Sequence, residues 1–159
     1  FLRADGTWAA TVGAGDVVGP ASSVDNTLPR YEGTGGKTLQ GSGVAVTDNN
    51  EISGYRANLN QQTGTTYSVQ ASDTGKVLEL GNAAAIVLTF PATLPVGACG
   101  TAVAVGAGQV SFVAGPGATL RNRQSHTKLA GQWAAMTWYV RANVGGSAAE
   151  IVIAGDTAA

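Results

Sequence analysis

Apolar and polar positions along this chain follow two regimes that change near residue 60. Phe1–Asp48 holds a few isolated apolar residues punctuated by Gly, Pro, Ser and Asn, with no helical and no sustained strand period. Turn signals stand at Asp5-Gly6, Gly19-Pro20 and Gly33–Gly36, with short extended pieces at Val12–Val18 and Val44–Thr47. So little apolar surface does not offset the entropy of ordering such a segment. Residues 1–60 therefore read as an extended Gly-rich arm or linker, ordered by winding around copies of itself or by lying along a partner. Residues 55–63 (YRANLNQQT) read as a polar hinge into the body that follows.

From Thr65 onward the pattern becomes many short strands separated by turn residues, which predicts an all-β domain over residues 61–159, a small antiparallel β-sandwich or barrel. Strands are expected at Thr65–Gln70, Lys76–Leu80, Ala85–Phe90, Thr101–Val105, Gln109–Val113, Ala118–Arg121, Gln132–Arg141 and Ala148–Ala154. Strict alternation puts Ile86, Leu88 and Phe90 on one face, and Met136 and Trp138 opposite Trp133, Tyr139 and Arg141. The expected core is Ile86, Leu88, Phe90, Val103, Val110, Phe112, Met136, Trp138, Ile151 and Ile153. Turns are expected at Asp73-Thr74-Gly75 and Gly115-Pro116-Gly117, and a hairpin at Asn143–Ser147. No segment offers ten residues of helical amphipathicity.

Charge changes this picture in one respect. Charged residues make up 12% of the chain against about 25% in an average protein, and residues 61–159 carry only nine of the nineteen. A body so poor in charge suits neutral surfaces covered by neighbouring subunits. The net charge of −1 gives no basic field for nucleic acid. No apolar run approaches the roughly 18 residues of a membrane helix, so no membrane insertion is expected. Cys99, the single cysteine, permits no internal disulfide and reads as a small buried filler within Val96–Gly100.

Chemical motifs are sparse. Gly36-Lys37-Thr38 resembles the end of a phosphate-binding loop, but Tyr31 stands where that loop needs its first glycine. Gly13-x-Gly15 and Gly106-x-Gly108 lack the third glycine of a dinucleotide fingerprint, having Val18 and Ser111 there. His126 is the single histidine, with no nucleophile elbow and no cysteine-histidine cluster for zinc. Glycoside hydrolysis requires two facing carboxylates, and nothing in the spacing of Asp73, Glu79, Glu150 and Asp156 pairs them. No catalysis, cofactor or metal is expected.

The dense polar cluster of the body is Arg121-Asn122-Arg123-Gln124-Ser125-His126-Thr127-Lys128, between two expected strands, where binding residues concentrate. Guanidinium and amide groups suit hydroxyls, carboxylates and phosphates. Arg121, Asn122, Arg123, His126 and Lys128 are therefore candidate ligand-binding residues. Trp133 and Tyr139 join them as outward aromatics able to stack on sugars or to form a subunit interface.

The order FLR-x-DGTWA, VVGP-x-SS-x-DN, Arg30-Tyr31 and GTGGK-x-LQ-x-SGV, running from Phe1 to about Gly54, resembles a recurring linker of bacteriophage tail-fibre and related virion-fibre proteins. The stretch from Ala71 through GATLRNRQSHTK to Ala154-Gly155-Asp156-Thr157 resembles the small C-terminal domain that often follows that linker. The resemblance implies a homotrimeric virion structural protein on the tail or capsid surface, bound to other virion proteins. Its tip would take part in attachment to host cell-surface carbohydrate. The alternative is a capsid-associated head fibre, spike or decoration protein without a primary receptor role. A chain that starts at Phe1 inside the linker motif reads as a piece or processed product of a longer fibre.

Overall fold

The computed structural model describes residues 26–31 and 39–159. The turns expected at Asp5-Gly6, Gly19-Pro20 and Gly33–Gly36, the piece at Val12–Val18 and the Gly36-Lys37-Thr38 motif lie outside the described residues. The chain divides after Arg56 into two compact units.

In the first unit, β1 (Thr27–Tyr31), β2 (Leu39–Val46) and β3 (Ile52–Ser53) form a three-stranded antiparallel meander. Among the described residues, this part pairs as a sheet. Glycines hid β2 from a reading of periodicity, because Gly41 and Gly43 carry no side chain to alternate. Gly54, at φ +75°, turns so close to the Gly43 backbone that a Cβ there would lie 3.0 Å from the Gly43 carbonyl carbon. Arg30 donates to Gln40 Oε1 at 2.9 Å and Asn26 to Asp48 Oδ1 at 3.0 Å. No described residue of the meander is buried, so the sheet has no core of its own.

The second unit, Ala57–Ala159, is an all-β sandwich. Its strands are β4 (Asn58–Gln62), β5 (Thr66–Ser68), β6 (Lys76–Leu80), β7 (Ile86–Phe90), β8 (Cys99–Ala104), β9 (Val110–Ala114), β10 (Thr119–Asn122), β11 (Lys128–Leu129), β12 (Ala135–Asn143), β13 (Ala149–Gly155) and β14 (Thr157–Ala158). One sheet has the order β10-β13-β12-β8-β6-β4 and the other β14-β11-β9-β7-β5. Helical structure among the described residues is two single 3-10 turns, Ala71–Asp73 and Val144–Gly146.

The expected antiparallel pairing is corrected by the topology. From β4 to β9 successive strands alternate between the two sheets, so neighbours within a sheet run the same way: β4 with β6, β6 with β8, β5 with β7 and β7 with β9. Parallel neighbours need a crossover of a dozen or more residues, and here each crossover is the strand of the opposite sheet with its two turns. A hairpin and this winding share the same local pattern of strand, turn and strand. Within this unit only β12, with β8 on one side and β13 on the other, and β11, between β9 and β14, pair antiparallel.

The winding stacks its turns. Gly81 N donates to Gln62 O at 2.8 Å, Gly106 N to Leu80 O at 3.0 Å and Gly108 N to Asn82 O at 2.9 Å. A Cβ on Gly106 would lie 2.6 Å from Asn82 N, and one on Gly108 2.5 Å from the Ala84 carbonyl carbon. These glycines serve close approach of one turn to the next, which is why Gly106-x-Gly108 looked like a fragment of a nucleotide motif.

Nine of the ten expected core residues are buried; Val103 is the exception. Ala102 and Ala104 take the inward positions of β8 because the neighbouring strand brings Met136 opposite Ala102 and Trp138 opposite Gly100. Gly100 leaves room for the indole, since a Cβ there would lie 3.0 Å from the ring. Trp138 packs edge-on to Phe90, centroids 5.6 Å apart at 67°. The same alternation sends Ala98 inward and leaves Cys99 exposed, correcting its reading as a buried filler.

The polar hinge is corrected too: Asn58–Gln62 is edge strand β4, held by its parallel ladder to β6 and by its polar side chains instead of apolar burial. Asn60 Nδ2 donates to Asp73 Oδ1 at 2.8 Å and to the Tyr67 hydroxyl at 2.9 Å. Tyr67 OH and Gln70 N each donate to Asp73 Oδ2 at 2.8 Å. Asp73 is thus buried with both oxygens satisfied, and the network ties β4 to β5 across the two sheets. Burial, and next the hydrogen bond to Asp73, push the Tyr67 phenol above its ordinary value.

Candidate functional site

The chain leaves the six-stranded sheet at Asn122 and enters the five-stranded sheet at Lys128, and the crossing loop 123–127 borders an open cavity of about 570 Å³. Its lining comes from the loop and the end of β10 (Leu120, Arg121, Asn122, Arg123, Ser125, His126, Thr127), from β13 (Val152, Ile153, Ala154) and from Phe112 of β9. The volume lies in the range of small-molecule sites, roughly 300–1,000 Å³.

The loop is built, not slack. Asn122 Oδ1 accepts from Gln124 N at 3.0 Å and His126 N at 3.1 Å, and Ser125 takes a left-handed φ of +58° to close the turn. His126 Nδ1 lies 3.0 Å from Thr157 Oγ1, and Thr127 N donates to Ala158 O at 3.1 Å. These bonds anchor the loop to the terminal strand β14.

The two arginines of the lining are in different states. Arg121 Nε donates to Glu150 Oε1 at 2.6 Å, and Arg141 holds the other oxygen of the same carboxylate. The hydrogen bond from Arg121, with Arg141 adding to it, keeps the Glu150 carboxyl below its ordinary value. Arg123 is exposed and makes no hydrogen bond or ion pair among the described residues.

Of the residues expected in a site, Arg121, Asn122, Arg123 and His126 meet at the cavity. Lys128 sits just past it, half-buried in β11 opposite Ser111 and Ala158. Trp133 and Tyr139 are not in the lining. Trp133 occupies a left-handed position at φ +67°, before β12 begins, and is 69% exposed. Tyr139 lies on the outer face of the six-stranded sheet between Cys99 and Val152. That face also presents Leu59, Val77, Thr101 and Val103.

The β13 wall and Phe112 were not expected at the site. The parallel pairing that brings β10 beside β13, with Arg121 opposite Val152 and Asn122 opposite Ile153, leaves no mark in local spacing. Among the described residues no three His, Cys, Asp or Glu side chains gather as a metal site, and no helix is long and apolar enough to cross a membrane. No protein-family model matches the chain, and no curated protein does.

Proposed function

We propose that the chain is a homotrimeric virion-fibre protein whose residues 57–159 form a tip domain that attaches to host-surface saccharide through the cavity beside loop 123–127. The observation that carries the attachment reading is that loop. It concentrates donors on a charge-poor body, is held to β14 by the Thr127 N–Ala158 O and His126–Thr157 bonds, and stands over a concave site of ligand size.

Two features support assembly into a fibre. The order of the linker motif from Phe1 to Gly54 resembles that of virion fibres. The outer face of the six-stranded sheet exposes Leu59 at 56% and Tyr139 at 48%, beside Val77 and Val103. Its charges are Glu79, bonded to Gln61, and the Arg121–Glu150–Arg141 cluster at one end. A second and a third copy covering this face from β12 to β4, clear of the β10–β13 end that borders the cavity, would remove apolar surface from water at little electrostatic expense. Three weak sites then act together, and avidity converts them into firm attachment.

Ala154→Trp tests the attachment reading. Ala154 is exposed on the cavity wall, so the indole fills the cavity without entering the core. Binding of the full chain to bacterial envelope polysaccharide is expected to be lost while the melting temperature is kept. Binding at wild-type level by a folded variant refutes the site. Sedimentation of the full chain at micromolar concentration is expected to give a trimer, and a stable folded monomer refutes the assembly.

A further inference from the structure

We propose that this cavity takes the acidic group of a saccharide, a carboxylate or a phosphate, and that Arg123 is the residue that pairs with it. The inference rests on the attachment reading and narrows its ligand.

Charge is the first ground. The lining holds two guanidinium groups and no Asp or Glu. Arg121 is offset by Glu150, which approaches it from outside the lining, so its Nε is committed. The charge of Arg123 is left uncompensated in the lining, on a loop whose shape Asn122 and Ser125 fix. A planar guanidinium with every donor unused fits a carboxylate or phosphate edge-on, through two parallel N–H···O bonds.

The second ground is the balance of donors and acceptors. A neutral sugar presents many hydroxyl donors, and sites that hold one offer carboxylate acceptors or an open aromatic face. Here there is no carboxylate, and the aromatic of the lining, Phe112, is only 2% exposed and turned into the core. Trp133 and Tyr139, the aromatics that could stack on a ring, lie elsewhere. What the lining does offer is a donor-only group, the Arg123 guanidinium, with the Ser125 and Thr127 hydroxyls beside it able to donate as well.

The third ground is the apolar wall. Leu120, Val152, Ile153 and Ala154 make part of the lining apolar, which lowers the local dielectric and strengthens an ion pair formed there.

The test compares three probes on the full chain by calorimetry: an oligosaccharide ending in glucuronate, its counterpart ending in glucose, and inorganic phosphate. The glucuronate probe is expected to bind about tenfold or more tighter than the glucose probe, as one charge-assisted bidentate contact would give. That preference should weaken as salt is raised. In Arg123→Gln the glucuronate probe is expected to lose its advantage over the glucose probe, while the melting temperature stays unchanged. Equal affinity for the two saccharides, or a preference that survives Arg123→Gln, overturns the inference and leaves the attachment reading standing. Binding of neither saccharide overturns both, whether or not phosphate binds.

Discussion

Gly108→Ala probes the stacked turns that make this sandwich partly parallel. Gly108 N donates to Asn82 O at 2.9 Å, and an added Cβ would stand 2.8 Å from that same oxygen and 2.5 Å from the Ala84 carbonyl carbon. Both obstacles are backbone, so no side chain can rotate away and the 106–109 turn must lift off the 81–85 turn. Overpacking of this kind costs about 1–3 kcal/mol, and loss of the turn hydrogen bond adds about 1 kcal/mol. For a domain of this size a loss of about 2–4 kcal/mol lowers the melting temperature by roughly 10–30 °C.

The assay is thermal unfolding of the full chain by circular dichroism, with Gly131→Ala as the internal control. Gly131 has nothing within 4 Å of an added Cβ and no left-handed φ. Its substitution is expected to change stability by no more than about 0.5 kcal/mol, or to raise it by about 0.4–1 kcal/mol through the unfolded chain. If Gly108→Ala melts within a few degrees of Gly131→Ala, the turns do not stack and the parallel winding is wrong.

Two pH dependences follow from the shifted groups. Tyr67 has a folded pKa above its ordinary 10.0. The stability it contributes is therefore complete below pH 10 and lost as pH rises through the folded value. The gap in melting temperature between wild type and Tyr67→Phe should narrow on going from pH 9 to pH 11, and a constant gap refutes the Tyr67–Asp73 bond. Glu150 has a folded pKa below its ordinary 4.5, so its contribution is present above that value and lost as pH falls through the folded one. Wild type and Glu150→Gln should differ at pH 7 and converge in acid; equal melting temperatures at pH 7 refute a stabilising role for the Arg121–Glu150–Arg141 cluster.

How much of this was legible in the sequence depends on where the determining contact lies. Strands that alternate strongly were readable: Lys76–Leu80 has the expected ends, and Met136 and Trp138 face inward as their spacing required. Asn58–Gln62, Lys128–Leu129 and Thr157–Ala158 were not, because a polar or two-residue strand is defined by its partner and not by its own pattern. Val103 misled because size was taken for burial. In β8 the small residues face inward, and the volume is supplied by Met136 and Trp138 on the next strand. The parallel order was hidden for the same reason, since pairing Val77 with Thr101 leaves no local trace.

The site shows the same division at finer grain. A cluster of planar donors between two strands is a local feature, and it led to four residues that do meet at one cavity. What decides between them is not local. Arg121 and Arg123 look equivalent in sequence, yet Glu150, 29 residues from Arg121, takes one and leaves the other. This changes what a substitution can report. Removing Arg121 frees a carboxylate oxygen near the cavity, so a weaker hold on an acidic ligand would mix a lost contact with a new repulsion. Removing Arg123 alters only the charge that no neighbour offsets, and its effect can be read directly as recognition.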